Sequence, residues 1–415
     1  MTRSLTLCPP LRPLPTESAA GVPRFTLQEL SGGMGDIGTF LPLAVALSVS
    51  VGMDLGLILI SAGLMNLVTG WFFNQPIPVQ PMKAIAVAAI AEALAPGQVA
   101  AAGLLSAAVL FVLACTGLVG WANRLVPKSL IRGLQVGIGV KLVFSGLQWV
   151  WALPMAGWNS WLVAALATGL LLLPLRRQPV LLYLFASGFV LLGLAHPHAF
   201  ASIAPHWPHF HWVWPGADDW WPGLVSGALP QLPLTLLNSV VAVCSLSADY
   251  FPGRGIPPRR MALSVAAMNL VCVPLGGMPV CHGSGGLAAQ YRFGARTGGS
   301  VILLGLLKIA AGLLIGAALL DVLRLYPKSI LGVMVILAGL TLAAAVRDLP
   351  RRAGDIGVMA VTVAGIALAN TFCGFLSGAA FVLLWRLAKT LRANRQPDTG
   401  VHPRRPQRVP RLVFR

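Results

Sequence analysis

Between about residue 30 and residue 390 the chain is a succession of fourteen apolar segments punctuated by Pro, Gly, Trp and Arg. The first seven run roughly over 30–50, 55–73, 81–95, 99–121, 127–149, 158–175 and 179–196. The second seven cover 222–246, 260–276, 283–293, 299–320, 327–346, 354–370 and 372–390. Most approach the length of about 20 residues that a helix needs to cross a bilayer. Lipid offers no partner for a backbone N–H or C=O, so such segments must fold as helices that bond internally. A water-soluble alternative fails on composition. The chain is 56% hydrophobic and 10% charged, whereas a soluble domain is about one quarter charged, and no single core grows large enough to hide this much apolar surface. The expected class is an all-α polytopic membrane protein.

Lys and Arg placement orients the segments. With the N-terminus in the cytoplasm, inner loops hold Arg124, Lys128 and Arg132, then Arg176 and Arg177, then Arg254, Arg259 and Arg260, then Arg292 and Arg296, then Arg347, Arg351 and Arg352. The opposite side receives Arg324 and Lys328. An internal repeat explains that exception. "MNLV" occurs at 65–68 and 268–271, "PV" at 78–79 and 279–280, and "PKS" at 127–129 and 327–329. Three matches in one order, offset by about 200 residues, define two halves of seven segments each. An odd number of spans per half turns the halves opposite ways. The expectation is a seven-plus-seven transmembrane inverted repeat whose third and tenth spans are half-helices, since those two are too short to cross. The organisation expected is a disordered cytosolic leader over 1–28, a first transmembrane repeat over 29–196, an extracytoplasmic loop over 197–221, a second repeat over 222–390 and a basic cytosolic tail over 391–415. Both termini are then cytoplasmic, in a multi-pass protein of the cell (inner) membrane. The leader lacks the apolar stretch of a signal peptide.

A net charge of +18 raises the question of nucleic acid. The basic residues sit in short loops and in the tail with few aromatics among them, which fits anionic membrane lipid as partner and argues against nucleic acid. Cys115, Cys244, Cys272 and Cys373 are scattered through apolar runs, so they read as small core residues and not as a disulfide or metal framework. The His-rich stretch "HPHAFASIAPHWPHFHW" has no Cys partner and reads as a Trp-anchored interfacial loop. No metal and no cofactor are expected.

The third and tenth segments carry the chemistry. "NQPIPVQPMKAIAVAAIAEAL" places Pro76, Pro78, Pro81 and Lys83 between two long apolar runs, and the repeat pairs it with "GMPVCHGSGGLA". Irregular backbone at membrane depth is tolerated where it lines a cavity or packs in protein. Proline keeps the entering chain extended and starts a helix without wasting an N–H. Each segment is therefore expected to be an extended strand feeding a half-helix. Two half-helix N-termini near the midplane make an anion site. Lys83 adds a full charge, Gly283, Gly285 and Gly286 let backbone approach a ligand, and His282 and Ser284 add donors. The bland reading is that these prolines and glycines serve close helix packing.

"PVQPMKAIAVAA" and "MPVCHGSGGLAAQYRFGAR" resemble the two signature motifs of the molybdate transporter family, a branch of the sulfate permease (SulP-like) anion transporters. "ELSGGMGDIGTFLPL" and "PQLPLTLLNSVVAVCSLSADYFP" are also similar to that family, so the resemblance covers about residues 28–345. It implies a high-affinity importer of molybdate, with spans 1–4 and 8–11 as a moving core and the others as a gate. The residues expected to bind substrate are Gln80, Lys83, Gln231, Asn238, Cys281, His282, Gly283, Ser284, Gly285 and Thr39. Lys83 either contacts substrate or forms a structural ion pair with Asp36. Asp36 either partners Lys83, carries a coupling proton or caps a helix near the cytoplasmic surface. Gln80, Gln231 and Asn238 are amides that hydrogen-bond an oxyanion or a neighbouring helix. Lys141 and Lys308 have no evident role, Lys308 being placed to snorkel or to line the core–gate seam. A thiol–base reading of Cys281–His282 lacks a third orienting group, so no enzyme is expected. The function expected is secondary active, proton-coupled import of molybdate by alternating access. The alternatives are a sulfate transporter of the same fold and a passive anion channel. Partners are the oxyanion (molybdate, or sulfate), protons and lipid, with a homodimer as one allowed assembly.

Overall fold

In the computed structural model the described residues are 22–121, 127–172, 180–200, 212–349 and 352–395. The expected leader up to residue 21, the centre of the His-rich loop and the tail beyond 395 lie outside them. Fourteen principal helices are found among the described residues, one for each apolar segment. They are α1 Leu27–Val51, α2 Leu55–Phe73, α3 Lys83–Ala91, α4 Pro96–Cys115, α5 Lys128–Trp151, α6 Trp161–Leu172 and α7 Val180–Ala195. There follow α8 Ala217–Tyr250, α9 Pro258–Cys272, α10 Ser284–Arg292, α11 Gly299–Arg324, α12 Lys328–Ala343, α13 Ala353–Leu368 and α14 Thr371–Arg395. Strands β1 Gln80–Pro81 and β2 Val280–Cys281 precede α3 and α10. By length and composition α2, α4, α5, α8 and α14 can each cross a bilayer unaided, and α1 can do so if its two parts, inclined by 45°, count as one span. Leu368 and Trp71 are 88% and 69% exposed, which suits side chains that face lipid.

Local chemistry sets the ends. The Thr26 side chain accepts from Glu29 N at 3.2 Å and starts α1, and Gly52 ends it at φ 79°. Asp54 accepts from Leu57 N at 3.0 Å to start α2. Asn74 ends α2 at φ 44°, a left-handed turn that asparagine tolerates. That turn releases the chain into the proline stretch. In α8, Pro230 and Pro233 remove two backbone donors. The helix continues through wide π-type turns over Gly223–Ala228 and Thr235–Val241. Such turns are rare and gather at functional sites.

Two glycine seams join the halves of the chain. Along α2 and α11, a Cβ on Gly63 would stand 2.7 Å from the Gly305 carbonyl oxygen, and one on Gly70 2.6 Å from that of Gly298. Along α5 and α12, a Cβ on Gly139 would meet Gly339 O at 2.6 Å and one on Gly146 would meet Gly332 O at 2.6 Å. Small residues replace the missing hydrophobic drive in lipid by letting backbones touch.

Glu92, just past α3, ties a third junction. It binds Lys141 Nζ of α5 at 2.8 Å and, on α14, Thr371 Oγ1 at 2.7 Å and Thr371 N at 3.2 Å. This gives Lys141 a role that the sequence had not shown. Replacing Glu92 with Gln strands a shielded ammonium and weakens a helix start, so Glu92→Gln is expected to destabilise the protein by roughly 1–3 kcal/mol. Adding Lys141→Gln should recover part of the loss. Thermal unfolding of the purified single and double variants in detergent checks this; additive losses would remove the pair.

Candidate functional site

The two extended segments meet. β1 and β2 pair antiparallel, Gln80 opposite Cys281 and Pro81 opposite Val280. Met82 N donates to Pro279 O at 2.8 Å and extends the ladder. Asn269, in the second "MNLV", clamps β2 from α9: its Nδ2 donates to Val280 O at 2.6 Å and its Oδ1 accepts from Val280 N at 2.8 Å. The strands were expected; their pairing with each other was not. The antiparallel pairing puts the start of α3 at one end of the short ladder and that of α10 at the other. Neither helix has a side-chain cap of its own, Met82 and Gly283 being the residues at the two cap positions. Gln231 reaches across from α8 and accepts from Ala84 N at 2.8 Å, while its Nε2 donates to Thr235 Oγ1 at 2.8 Å.

A cavity of about 20 Å³ opens at this junction. Of the expected residues, Gln80, Lys83, Gln231, Asn238 and Cys281 line it. Lys83 is half-buried on its wall, and no described side chain takes its ammonium in a hydrogen bond. The structure adds Gln135 of α5 and Ser239 of α8, with Leu234 and Leu342 as apolar wall. Ser284 stands beside it, its hydroxyl donating to Asn238 Oδ1 at 2.5 Å. Gly283 is packed against the Gln80 amide. Gly285 is exposed, with open space where a Cβ would sit. Thr39 lies in α1, but its side chain is outside the described part.

Two expectations need correction. His282 is fully buried and does not line the cavity. Its Nδ1 lies 2.9 Å from Pro78 O and its Nε2 3.0 Å from Ser264 Oγ, so both ring nitrogens are engaged in holding the β1 approach against α9. A base so engaged cannot serve the neighbouring thiol, and Cys281 Sγ turns to Pro81 O at 3.8 Å. The second correction concerns Asp36. It forms no ion pair with Lys83 among the described residues, and it is no surface cap, because it is fully buried. Its Oδ1 accepts from Gln80 Nε2, and its Oδ2 has no hydrogen-bond partner. It also abuts the first turn of α10, where a Cβ on Gly286 would stand 2.8 Å from Oδ1. Lys308, read from the sequence as snorkelling or lining the core–gate seam, is 5% exposed. Its Nζ donates to Asn66 Oδ1 at 2.9 Å and lies 3.6 Å from the centroid of the Phe40 ring. It does not snorkel, and its partners lie on α1 and α2. The available signal was a lysine in mid-segment 299–320 and an asparagine in the repeated "MNLV".

A helical bundle with one half-helix N-terminus on a small polar cavity and a second next to it defines the class: a multi-pass membrane protein with the fold of anion transporters. The transmembrane domain of a cyanobacterial bicarbonate transporter, BicA, superimposes with a TM-score of 0.60 at 16% identity, covering 88% of this chain and 96% of that one. The murine anion transporter Slc26a9 in its inward-facing state superimposes with 0.68 at 15% identity, covering 89% and 70%. In sequence, residues 28–142 and 223–342 match the family described as "Molybdate transporter of MFS superfamily". Molybdate transporter 2 of Arabidopsis thaliana is 35% identical over 86% of this chain and 87% of its own. Molybdate transporter 1 of Chlamydomonas reinhardtii is 34% identical over 86% and 90%. The chain belongs to the molybdate transporter family.

The glycines of α10 separate packing from binding. Gly286→Ala drives a methyl into Gln80, Asp36 and Pro78, and is expected to lower the thermal midpoint and the yield of folded protein. Gly285→Ala meets nothing and is expected to fold as the parent does. Size-exclusion profiles and unfolding midpoints of the two variants side by side check the contrast; an equal loss in both would refute it.

Proposed function

We propose that this protein imports molybdate, coupled to protons, by alternating access. The observation that carries the reading is the start of half-helix α3, without a side-chain cap of its own, on a cavity walled by Lys83 and the amides of Gln80, Gln231 and Asn238, with the start of α10 next to it. Helix starts of this kind attract anions through oriented N–H groups and a positive dipole end. The lysine adds a full charge where a charge is costly unless used. The named relatives supply the oxyanion. Gly285, Lys83 and Asn238 are the contacts proposed for it, with Ser284 reaching it by turning its hydroxyl from Asn238.

On this reading the two halves form an inverted repeat, which the antiparallel pairing of repeat-equivalent residues around Gln80 and Cys281 supports. The first four helices of each half form the moving core. The rest form the gate, which contributes Gln135 and Leu342 to the cavity. The termini lie in the cytoplasm. Moving two negative charges inward against 100 mV costs roughly 4.6 kcal/mol, at about 2.3 per charge. Accumulation therefore needs cations to travel along. Asp36, buried beside the site with an unpartnered oxygen, is the proposed proton carrier.

Uptake of radiolabelled molybdate into proteoliposomes, with sulfate as competitor, tests the substrate. Accumulation above equilibrium that follows an imposed proton gradient is expected, and its absence would reduce the protein to a passive pathway. Lys83→Ala is expected to abolish uptake while inserting normally; parental affinity in that variant would remove the contact. Asp36→Asn should exchange molybdate in counterflow but lose accumulation at least tenfold. Full gradient-driven accumulation by Asp36→Asn would assign the proton elsewhere.

A further inference from the structure

Lys308 is the buried charge that the proposed transport cycle leaves unused. Helices α1 and α11 run side by side. A Cβ on Gly33 would touch Ser300 O at 2.6 Å and Leu304 Cβ at 3.6 Å. Two turns on, Lys308 Nζ sits 3.6 Å over the Phe40 ring. On a helix, residues three and four apart share a face. Gly33 and Phe40 of α1 thus touch α11 on either side of Asp36 in sequence, while the Asp36 carboxyl itself meets Gln80 and the first turn of α10. Its Oδ2 is buried without a hydrogen-bond partner, and the ammonium groups of Lys308 and Lys83 both act on its carboxyl. The other titratable group near the pair is Cys281 of β2. Asn66 of α2 holds the ammonium from the far side at 2.9 Å. Asn66 thus fixes the lysine where its counterpart Asn269 fixes a strand.

We propose that Lys308 is the fixed counter-ion of Asp36, a positioning residue that closes the charge balance of the site with one proton per dianion. This rests on the reading of Asp36 as proton carrier. With Asp36 ionised, two lysines and one carboxylate leave a single positive charge. A proton on Asp36 raises this to two, which a dianion cancels. The loaded site is then neutral when it moves through the low-dielectric interior, where an uncompensated charge is expensive. Lys308 also frees Lys83 for the substrate, since the carboxylate has its own cation. Without Lys308, one proton and one dianion leave the site net negative. A monoanion then balances it better than a dianion does.

The test uses the full-length protein and its Lys308→Gln, Asp36→Asn and doubly substituted variants in proteoliposomes. Lys308→Gln is expected to lose proton-driven molybdate accumulation at least tenfold. In counterflow it should shift preference at least tenfold from molybdate toward perrhenate, a tetrahedral monoanion of similar size. A merely structural lysine would weaken both anions alike, and that result, or parental accumulation, overturns the proposal. Thermal unfolding in detergent reads the pairing apart from transport. The double variant should recover midpoint lost by Lys308→Gln, because it removes the stranded carboxylate; additive losses overturn the pairing. If the parent shows no proton-driven accumulation, the transport reading fails, and the unfolding cycle still decides whether Lys308 and Asp36 are partners.

Discussion

The fold depends on how it satisfies backbone that is not helical at membrane depth. The chain leaves α2 at Asn74 and α9 after Cys272 and runs extended through the buried interior. Each unpaired N–H or C=O there costs several kcal/mol in hydrocarbon. The protein solves both breaks with one device. The extended pieces hydrogen-bond to each other as β1 and β2, and side chains cover what the ladder leaves: Asn269 on Val280, His282 on Pro78 and Gln231 on Ala84. Pairing the breaks has an electrostatic by-product. It sets the start of α3 on the small cavity and that of α10 next to it, through Ser284 and Asn238.

Packing around the device follows from the same economy. Glycine seams along α2–α11 and α5–α12 hold backbones at contact distance, so Lys308 of α11 reaches Asn66 of α2. Polar groups are spent sparingly, and several of them tie helices together. Lys141 and Glu92 join α3, α5 and α14. His282 was the residue most attractive to a chemical reading, and it is the one most fully consumed by structure. On the proposed function, the side chains left half-open, Lys83 and Asn238 among them, are those that meet the oxyanion.

The sequence by itself determined the class, the position of each helix within a few residues and the two breaks. These are local properties. Apolar length, a proline before Lys83 and glycines around Ser284 act over one or two turns, so they can be read without knowing neighbours. The sequence also pointed to Gln80, Lys83, Gln231, Asn238 and Cys281, which the structure gathers on one cavity. Tertiary structure alone decided the partners. Gln231 and Ala84 are separated by 147 residues, Lys308 and Asn66 by 242, and Glu92 and Thr371 by 279. Spacing carries no information at that range, because the contact is set by which helices lie side by side. For that reason Asp36 could be matched to Lys83 from the sequence, while the packing of α1 against β1 set its carboxyl on Gln80. His282 could be read as a donor until burial fixed both its nitrogens. A side chain's chemistry is written in the sequence; whether that chemistry is free to act depends on what the fold has already bonded to it.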